Sequence, residues 1–285
     1  MPNIYFPYMG LSFNIDKIAF SIFGLDVHWY GIILTLGIMC GGLVSSYVAQ
    51  HERLPKDIIM DFLVIDLLFA ILGARIYYVI FKWDYYGQNL LEIFNLRQGG
   101  IAIYGGIIAS VAVAAVFTKK KRVNLWQFGD VMTYGLLVGQ IIGRFGNFVN
   151  KEAFGDYTDN FFAMRILQSE AATSITQNIL DNVIVEEGLS YIQVHPTFLY
   201  ESMWNLGLLA VLAIFYRFRK GKGEIFFLYV AGYGVGRFWI EGLRTDQLVF
   251  GGAEIAISQV VAIISIIIGG VGFYMCRKSA RSIWR

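Results

Sequence analysis

Charge is what this 285-residue chain has least of. Only 15% of its residues are Asp, Glu, Lys or Arg, against about 25% in a soluble domain, and that excludes an ordinary water-soluble globule. The two cysteines, Cys40 and Cys276, both lie in apolar runs and give neither a disulfide framework nor a metal-binding spacing. The three histidines, His28, His51 and His195, are too scattered for a metal site. No basic stretch followed by a small-residue cleavage site opens the chain, so no cleaved signal peptide is expected. There is no catalytic Ser/His/Asp signature, phosphate loop or zinc motif, and no internal repeat; without a repeat, an inverted-repeat transporter loses support. An enzyme built this way must activate a nucleophile that its substrate brings.

What is present is hydrophobicity: 56% of residues, with a mean hydropathy of +0.57. Seven apolar stretches, 29–49, 58–81, 100–118, 125–145, 197–216, 224–243 and 254–275, each approach the ~20 residues a helix needs to cross the hydrocarbon. The expectation is an all-α polytopic membrane protein, 1–285 forming a single transmembrane domain with about seven spans. Residues 1–27 alternate weakly around Ile18, Phe20 and Ile22 and turn at Gly24-Leu25-Asp26, which predicts a short strand pair or interfacial segment. The connections after spans 1, 3, 5 and 7 hold fourteen of the 23 basic residues, from Arg53 and Lys56 to Arg281 and Arg285. The positive-inside rule places those loops and the C-terminus in the cytoplasm and the N-terminus outside. The segment 151–196 then faces outward. It is acidic (Glu152, Asp156, Asp159, Glu170, Asp181, Glu186, Glu187 against Lys151 and Arg165) and carries aromatics, which predicts a small ordered extracytoplasmic head inserted between spans 4 and 5.

Two stretches carry the chemistry. Gly139–Asn150 closes the fourth span. Its Gln140, Arg144 and Asn147 fall at i, i+4 and i+7 on one helix face, and Gly139 with Gly143 forms a small-xxx-small pair for close packing. A cation beside close-packed helices at a bilayer surface points to an anionic lipid headgroup. In the sixth span Tyr233, Arg237, Glu241 and Arg244 form one polar stripe. Each buried ion costs at least ~2.5–3.5 kcal/mol in a bilayer, so the stripe is either an Arg–Glu structural pair or the lining of a charged cavity shared with Arg144. The third span opens with Arg97-Gln-Gly-Gly-Ile-Ala-Ile-Tyr-Gly-Gly106, where Tyr104 is either an interfacial anchor or a ligand contact. His28-Trp-Tyr-Gly31 reads as an aromatic belt. In His195-Pro-Thr-Phe-Leu-Tyr-Glu201, the two titratable ends form an acid–base couple or serve helix entry. Asp66 and Arg75 of the second span read as a structural pair, and Asp61 as solvated near the cytoplasmic end.

At these positions the chain resembles the bacterial phosphatidylglycerol–prolipoprotein diacylglyceryl transferases. The resemblance rests on Gly143-Arg-Phe-Gly-Asn-Phe-Val-Asn150 with Glu152 and Gly155, and on four further motifs: His28–Gly31, Gly99–Gly106, His195–Glu201 and Gly236–Arg244. It implies transfer of diacylglycerol from phosphatidylglycerol to the thiol of a lipobox cysteine in a preprolipoprotein, forming a thioether and releasing glycerol phosphate. It implies no metal or organic cofactor, no nucleic acid, and a place in the bacterial plasma membrane. By the same resemblance Arg144 binds the lipid phosphate, and Asn147, Glu152 and Gly155 shape its site. Arg237 is the essential arginine, with Glu241 and Arg244 beside it, and Tyr30 is the site tyrosine of the first span. Many proteobacterial members have His-Gly-Gly where this chain has Tyr104-Gly-Gly. A phenol, with an ordinary pKa of ~10, is a weak base at pH 7, so Tyr104 is expected to position substrate while Arg237 favours the thiolate.

Overall fold

A computed structural model describes residues 2–95, 99–247 and 256–282. Arg97, Gln98 and Arg285, which the sequence reading invoked, lie outside the described residues, as do 254 and 255 at the start of the expected seventh span. In chain order the elements are β1 (Ile4–Phe6), β2 (Leu11–Phe13), β3 (Ile18–Ile22), β4 (Leu25–His28), α1 (Trp29–His51), α2 (Ile58–Phe81), α3 (Trp83–Tyr86), α4 (Ile103–Lys121), α5 (Leu125–Asn150), β5 (Met164–Leu167), α6 (Gln177–Leu180), β6 (Ile184–Glu186), β7 (Leu189–Val194), α7 (Thr197–Phe215), α8 (Glu224–Glu241) and α9 (Ile257–Ser282). The all-α expectation is therefore corrected: the protein is mostly helical with a small sheet portion.

Among the described residues, five segments are long and apolar enough to cross a membrane: Trp29–His51, Ile58–Phe81, Ile103–Lys121, Thr197–Phe218 and Ile257–Ala280. The expected fourth and sixth spans exist as helices of 26 and 18 residues, α5 and α8. They fall short in apolarity because they carry the polar residues. Asp130, Gln140, Arg144 and Asn147 lie on α5, and Glu224, Arg237 and Glu241 on α8.

The chain divides into two compact units, 42–132 and 1–41 with 133–285. In the first, α2 and α4 run antiparallel. Gly73 lies against Gly105, where a Cβ on Gly105 would strike the Gly73 carbonyl and Tyr77. Ser110 donates to Asp66 at 3.1 Å, and Lys121 pairs with Asp61 at 2.7 Å, both ends about half exposed. Ile58, Ile59, Phe62, Phe117, Phe128 and Val131 form the core. The expected Asp66–Arg75 pair does not form. Nine positions along an α-helix turn the two side chains to opposite faces. Arg75 instead donates to the carbonyls of Glu92, Ile93, Asn95, Gly99 and Gly100 and stacks on Tyr86. Gly99 and Gly100, both at positive φ, supply the left-handed backbone that aims two of those carbonyls.

In the second unit, close backbone packing joins α1 to α5 one turn away from the expected site. Gly37 sits against Gly139 and Gly41 against Gly135, whereas Gly143 has open space beside it. The small-xxx-small pair is thus Gly135/Gly139, facing Gly37/Gly41. A second such contact joins α7 to α8: the Trp204 indole lies on Gly236 and donates to the Gly232 carbonyl at 2.9 Å. The strand pair expected near the N-terminus is β3–β4, and its turn falls on Phe23-Gly24, both at positive φ, as a two-residue hairpin turn requires. Strands β1 and β2 extend the sheet of the 151–196 segment into the order β2-β1-β5-β7-β6, antiparallel throughout. The head-like module is therefore not confined to 151–196. Its apolar face (Ile4, Phe6, Met164, Ile166, Ile192, Val194) packs on Phe148 and Val149 at the end of α5 and on Phe198 at the start of α7. That seat fixes the ends of the two helices that carry Arg144 and Glu201.

Candidate active site

The polar residues of α5, α7 and α8 meet in one network within the second unit. Glu201, one turn into α7 and only 4% exposed, takes one arginine on each oxygen. Oε1 pairs with Arg144 of α5, and Oε2 lies 3.4 Å from Nη1 of Arg237 on α8. Arg237 also holds Glu241, one turn further along its own helix, at 2.6 Å. Tyr233, one turn the other way, reaches Glu201 Oε1 at 3.5 Å. The i, i+4 stripe read from α8 is thus a wall of a charged constellation, with both carboxylates buried and each arginine about a fifth exposed. Such burial is tolerable only because each ion is compensated.

Towards the head module the network continues. Arg144 Nη1 donates to Asn147 Oδ1 at 3.4 Å, and Asn147 Nδ2 donates to Glu152 Oε1 at 2.8 Å. Glu152 sits between Lys151 and Ala153, both in the left-handed region at φ 55° and 56°. Strained non-glycine backbone of this kind persists only where the surroundings hold it. Here the 171–174 loop does so: Ala172 N donates to the Lys151 carbonyl at 3.0 Å, and Ala153 N to Thr173 Oγ1 at 2.7 Å. The Lys151 ammonium is fully buried between Glu170 (2.5 Å) and the Ile15 carbonyl (2.9 Å).

Arg244, just beyond α8, forks onto Asp246 with bonds of 2.8 and 2.6 Å and approaches Glu241 at 3.8 Å. Burial would raise the Asp246 carboxyl, but the Arg244 fork holds it below the ordinary carboxylate range. Gly155 sets where this arginine stands. Its N–H donates to the His195 carbonyl, Asp156 N donates to the Leu243 carbonyl, and a Cβ on Gly155 would strike both Leu243 O and His195. Only glycine lets strand-like residues 155–156 lie against 243–244. Tyr30 lies with its ring across Gly146 of α5, beside the Arg144–Asn147 turn. A polar pocket of about 360 Å³ opens here, lined by Asn147, Glu152, Thr173, Ser174, Arg244 and Asp246 among others.

Of the sequence-derived site residues, Tyr30, Arg144, Asn147, Glu152, Gly155, Arg237, Glu241 and Arg244 all belong to this unit. Tyr104 opens α4 in the other unit, half-buried, with no hydrogen bond to its phenol among the described residues. His195 and Glu201 do not couple. The His195 ring meets Tyr200 at 3.2 Å and Asn160 at 3.4 Å, and Glu201 belongs to the arginines. Glu201 is the residue whose place sequence reasoning missed. Its signal was a single carboxylate in the first turns of an otherwise apolar span, in a chain whose fourth and sixth spans carry Arg144 and Arg237.

Fold and site together define a multi-span helical membrane protein with a buried arginine–carboxylate network and a small β-rich module seated on the ends of its helices. The family model for prolipoprotein diacylglyceryl transferase matches residues 17–275, and the chain belongs to this family. It is 44% identical over 257 residues to the phosphatidylglycerol–prolipoprotein diacylglyceryl transferase of Finegoldia magna, covering 90% of this chain and 93% of that one. It is 36% identical over 269 residues to the enzyme of that name from Clostridioides difficile, covering 94% and 98%. With the one from Bacillus cereus it shares 38% over 269 residues, covering 94% and 95%.

Proposed function

We propose that this chain transfers the diacylglyceryl group of phosphatidylglycerol to the lipobox cysteine of a preprolipoprotein in a bacterial plasma membrane. The observation that carries the reading is the buried Glu201 carboxylate shared by Arg144 and Arg237, two guanidinium groups brought together around one anion; in this reading a phosphate diester takes the place of that carboxylate. The family and its relatives supply the reaction. The substrate thiolate attacks the glyceryl carbon that bears the phosphate ester. The C–S bond forms, the C–O bond breaks, and the electron pair stays on the phosphate oxygen. The proton lost by the thiol is balanced by the second ionisable oxygen the released glycerol phosphate gains. Charge therefore builds on the phosphate in the transition state, and preorganised guanidinium groups stabilise charge there at low dielectric.

In this reading Arg144 holds the phosphate, and Arg237 stabilises the leaving group and lowers the thiol pKa. Asn147, Glu152 and Gly155 shape the site, Glu241 and Arg244 complete its charge balance, and Tyr30 backs Arg144 by covering Gly146. Tyr104 positions substrate and does not act as the base. Helices α5 and α8 join the five apolar segments as spans four and six of seven, their polar faces turned away from lipid. The chain works as one transmembrane domain, with its N-terminus and the 151–196 head outside and its C-terminus in the cytoplasm.

The test is a reconstituted assay with phosphatidylglycerol and a lipobox peptide, reading the mass gain on the peptide cysteine. Loss of one transition-state donor costs about 10²–10³ in rate, so Arg144→Ala should lower transfer at least about 100-fold while the protein stays folded. Near-wild-type transfer by that variant would remove Arg144 from the site. Lipid movement without any peptide adduct would overturn the transferase reading itself.

A further inference from the structure

One turn deeper along the same helix faces, a second layer of polar side chains lies below the arginine network. Asn205, at i+4 from Glu201 on α7, is wholly buried, and neither its Nδ2 nor its Oδ1 has a hydrogen-bond partner among the described residues. Gln140, four positions before Arg144 on α5, donates to the Tyr229 phenol at 2.8 Å and leaves its own Oε1 unpartnered. Ser202 donates to the Ile141 carbonyl and Tyr134 to that of Leu212, so the stretch of α7 with Asn205 runs beside the stretch of α5 with Gln140. Buried amide atoms left without partners are rare. Several in one layer mark a set of bonds that the resting state leaves incomplete.

From these observations we propose that Glu201 is the proton carrier of the transfer reaction and that this deeper layer is its second seat. The inference rests on the transferase reading and names the acceptor of the thiol proton. A phosphate diester entering between Arg144 and Arg237 displaces the carboxylate from both. Tyr233 already reaches Glu201 Oε1 at 3.5 Å. Helix side chains lean toward the helix N-terminus, which aims the Asn205 amide toward Glu201. The displaced carboxylate turns onto the Tyr233 hydroxyl and Asn205 Nδ2. Phenols and an amide surround it there, Tyr229 and Tyr233 of α8 and Gln140 of α5, while Arg144 and Arg237 hold the phosphate and Glu241 stays on Arg237. A buried charge without its ionic partners is costly, and a proton cancels it. The nucleophile supplies that proton, because the sulfur must approach a carbon one ester bond from the displacing phosphate. The S–H bond breaks as the proton passes to a Glu201 oxygen. The C–S bond then forms, the C–O bond breaks, and the electron pair stays on the phosphate oxygen. Glu201 returns the proton to that phosphate and, ionised again, closes on the two arginines.

The experiment follows transfer to two lipobox peptides that differ in one atom, one with cysteine and one with selenocysteine, whose selenol is already ionised at neutral pH. A positioned base contributes about 10²–10⁴-fold, so Glu201→Gln should lower cysteine transfer at least about 100-fold and selenocysteine transfer about 10-fold at most. The residual cysteine rate of that variant should climb as pH rises towards the ordinary thiol value of about 8.5, where the wild-type rate is already level. Asn205→Leu removes the second seat at similar volume. Taking out a buried amide that has no partner spares its desolvation cost, so this variant folds whatever becomes of Glu201→Gln. It should lose cysteine transfer and keep selenocysteine transfer. Equal losses on the two peptides in either variant overturn the proposal, as does undiminished cysteine transfer by either. Failure of the wild type to modify both peptides overturns the transferase reading itself, and the proposal with it.

Discussion

Glu201 is the residue on which the arrangement depends, and Glu201→Gln tests it with least change of shape. The substitution keeps the volume and a hydrogen-bonding oxygen but removes the charge that two arginines share. Breaking a buried ion pair by removing one partner costs about 3–5 kcal/mol. Here Glu201 is 4% exposed, but Arg144 and Arg237 are 22% and 19% exposed. Solvent therefore takes up part of the loss, and the lower end, about 3 kcal/mol, is expected. At roughly 2–4 °C per kcal/mol for a chain of this size, the melting temperature in detergent should fall by about 6–12 °C. The same change removes the arginines' internal competitor, so added glycerol phosphate should raise the melting temperature of the variant more than that of wild type. Stability unchanged by Glu201→Gln would mean that the bridge carries no load. Equal stabilisation of both proteins by the anion would refute the idea that Glu201 occupies the place of the phosphate.

Gly41→Leu puts a side chain where the Gly135 carbonyl already lies; overpacking of this kind costs about 1–3 kcal/mol or more, and reduced thermal stability with loss of transfer should follow. Tyr104→Phe should keep most of its transfer activity, and abolition would make the phenol a proton carrier. His195 lies outside the spans, and burial pushes its pKa below the ordinary histidine value of 6.5, with Asp156 opposing. Its folded pKa is thus the lower one, the unfolded chain binds more protons, and stability is lost as pH falls below about 6.5. A Tm–pH series on wild type and His195→Gln should show a shallower acid slope for the variant.

The two helices that hold the site were legible because their polar residues repeat every four positions in apolar surroundings; Gln140/Arg144 and Tyr233/Arg237/Glu241 need no tertiary knowledge to be placed on one face. What a face meets is a different question. Gly139 was recognised as a packing residue, but its partner turn, Gly135 and not Gly143, depends on where α1 crosses, and nothing local to α5 encodes that. Pairing Asp66 with Arg75 ignored helical phase, and carbonyl acceptors such as those of Gly99 and Gly100 carry no side-chain signature at all. The sheet shows the same limit. Ile4 pairs with Ile166 and Ile4 with Phe13, so the N-terminal strands belong to a module whose other strands lie far along the chain, and short strands joined over such a distance have weak local patterns. Glu201 was visible as a carboxylate, but its two partners come from two other helices.

The apolarity shortfall of α5 and α8 and the chemistry of the site have one cause. An arginine brought into a bilayer costs several kcal/mol unless it is compensated. Arg144, Arg237 and Arg244 are each paired with a carboxylate, from Glu201, Glu241 and Asp246. On the proposed reading that pairing also governs turnover. A phosphate entering between Arg144 and Arg237 must displace Glu201, so part of the arginines' attraction is offset before the lipid binds. This keeps the ground state from being held too tightly, and only interactions stronger in the transition state raise the rate. The leaving phosphate carries more charge than the diester, so the arginines gain most as the C–O bond breaks. Once glycerol phosphate departs, the carboxylate that returns to both guanidinium groups weakens its rebinding.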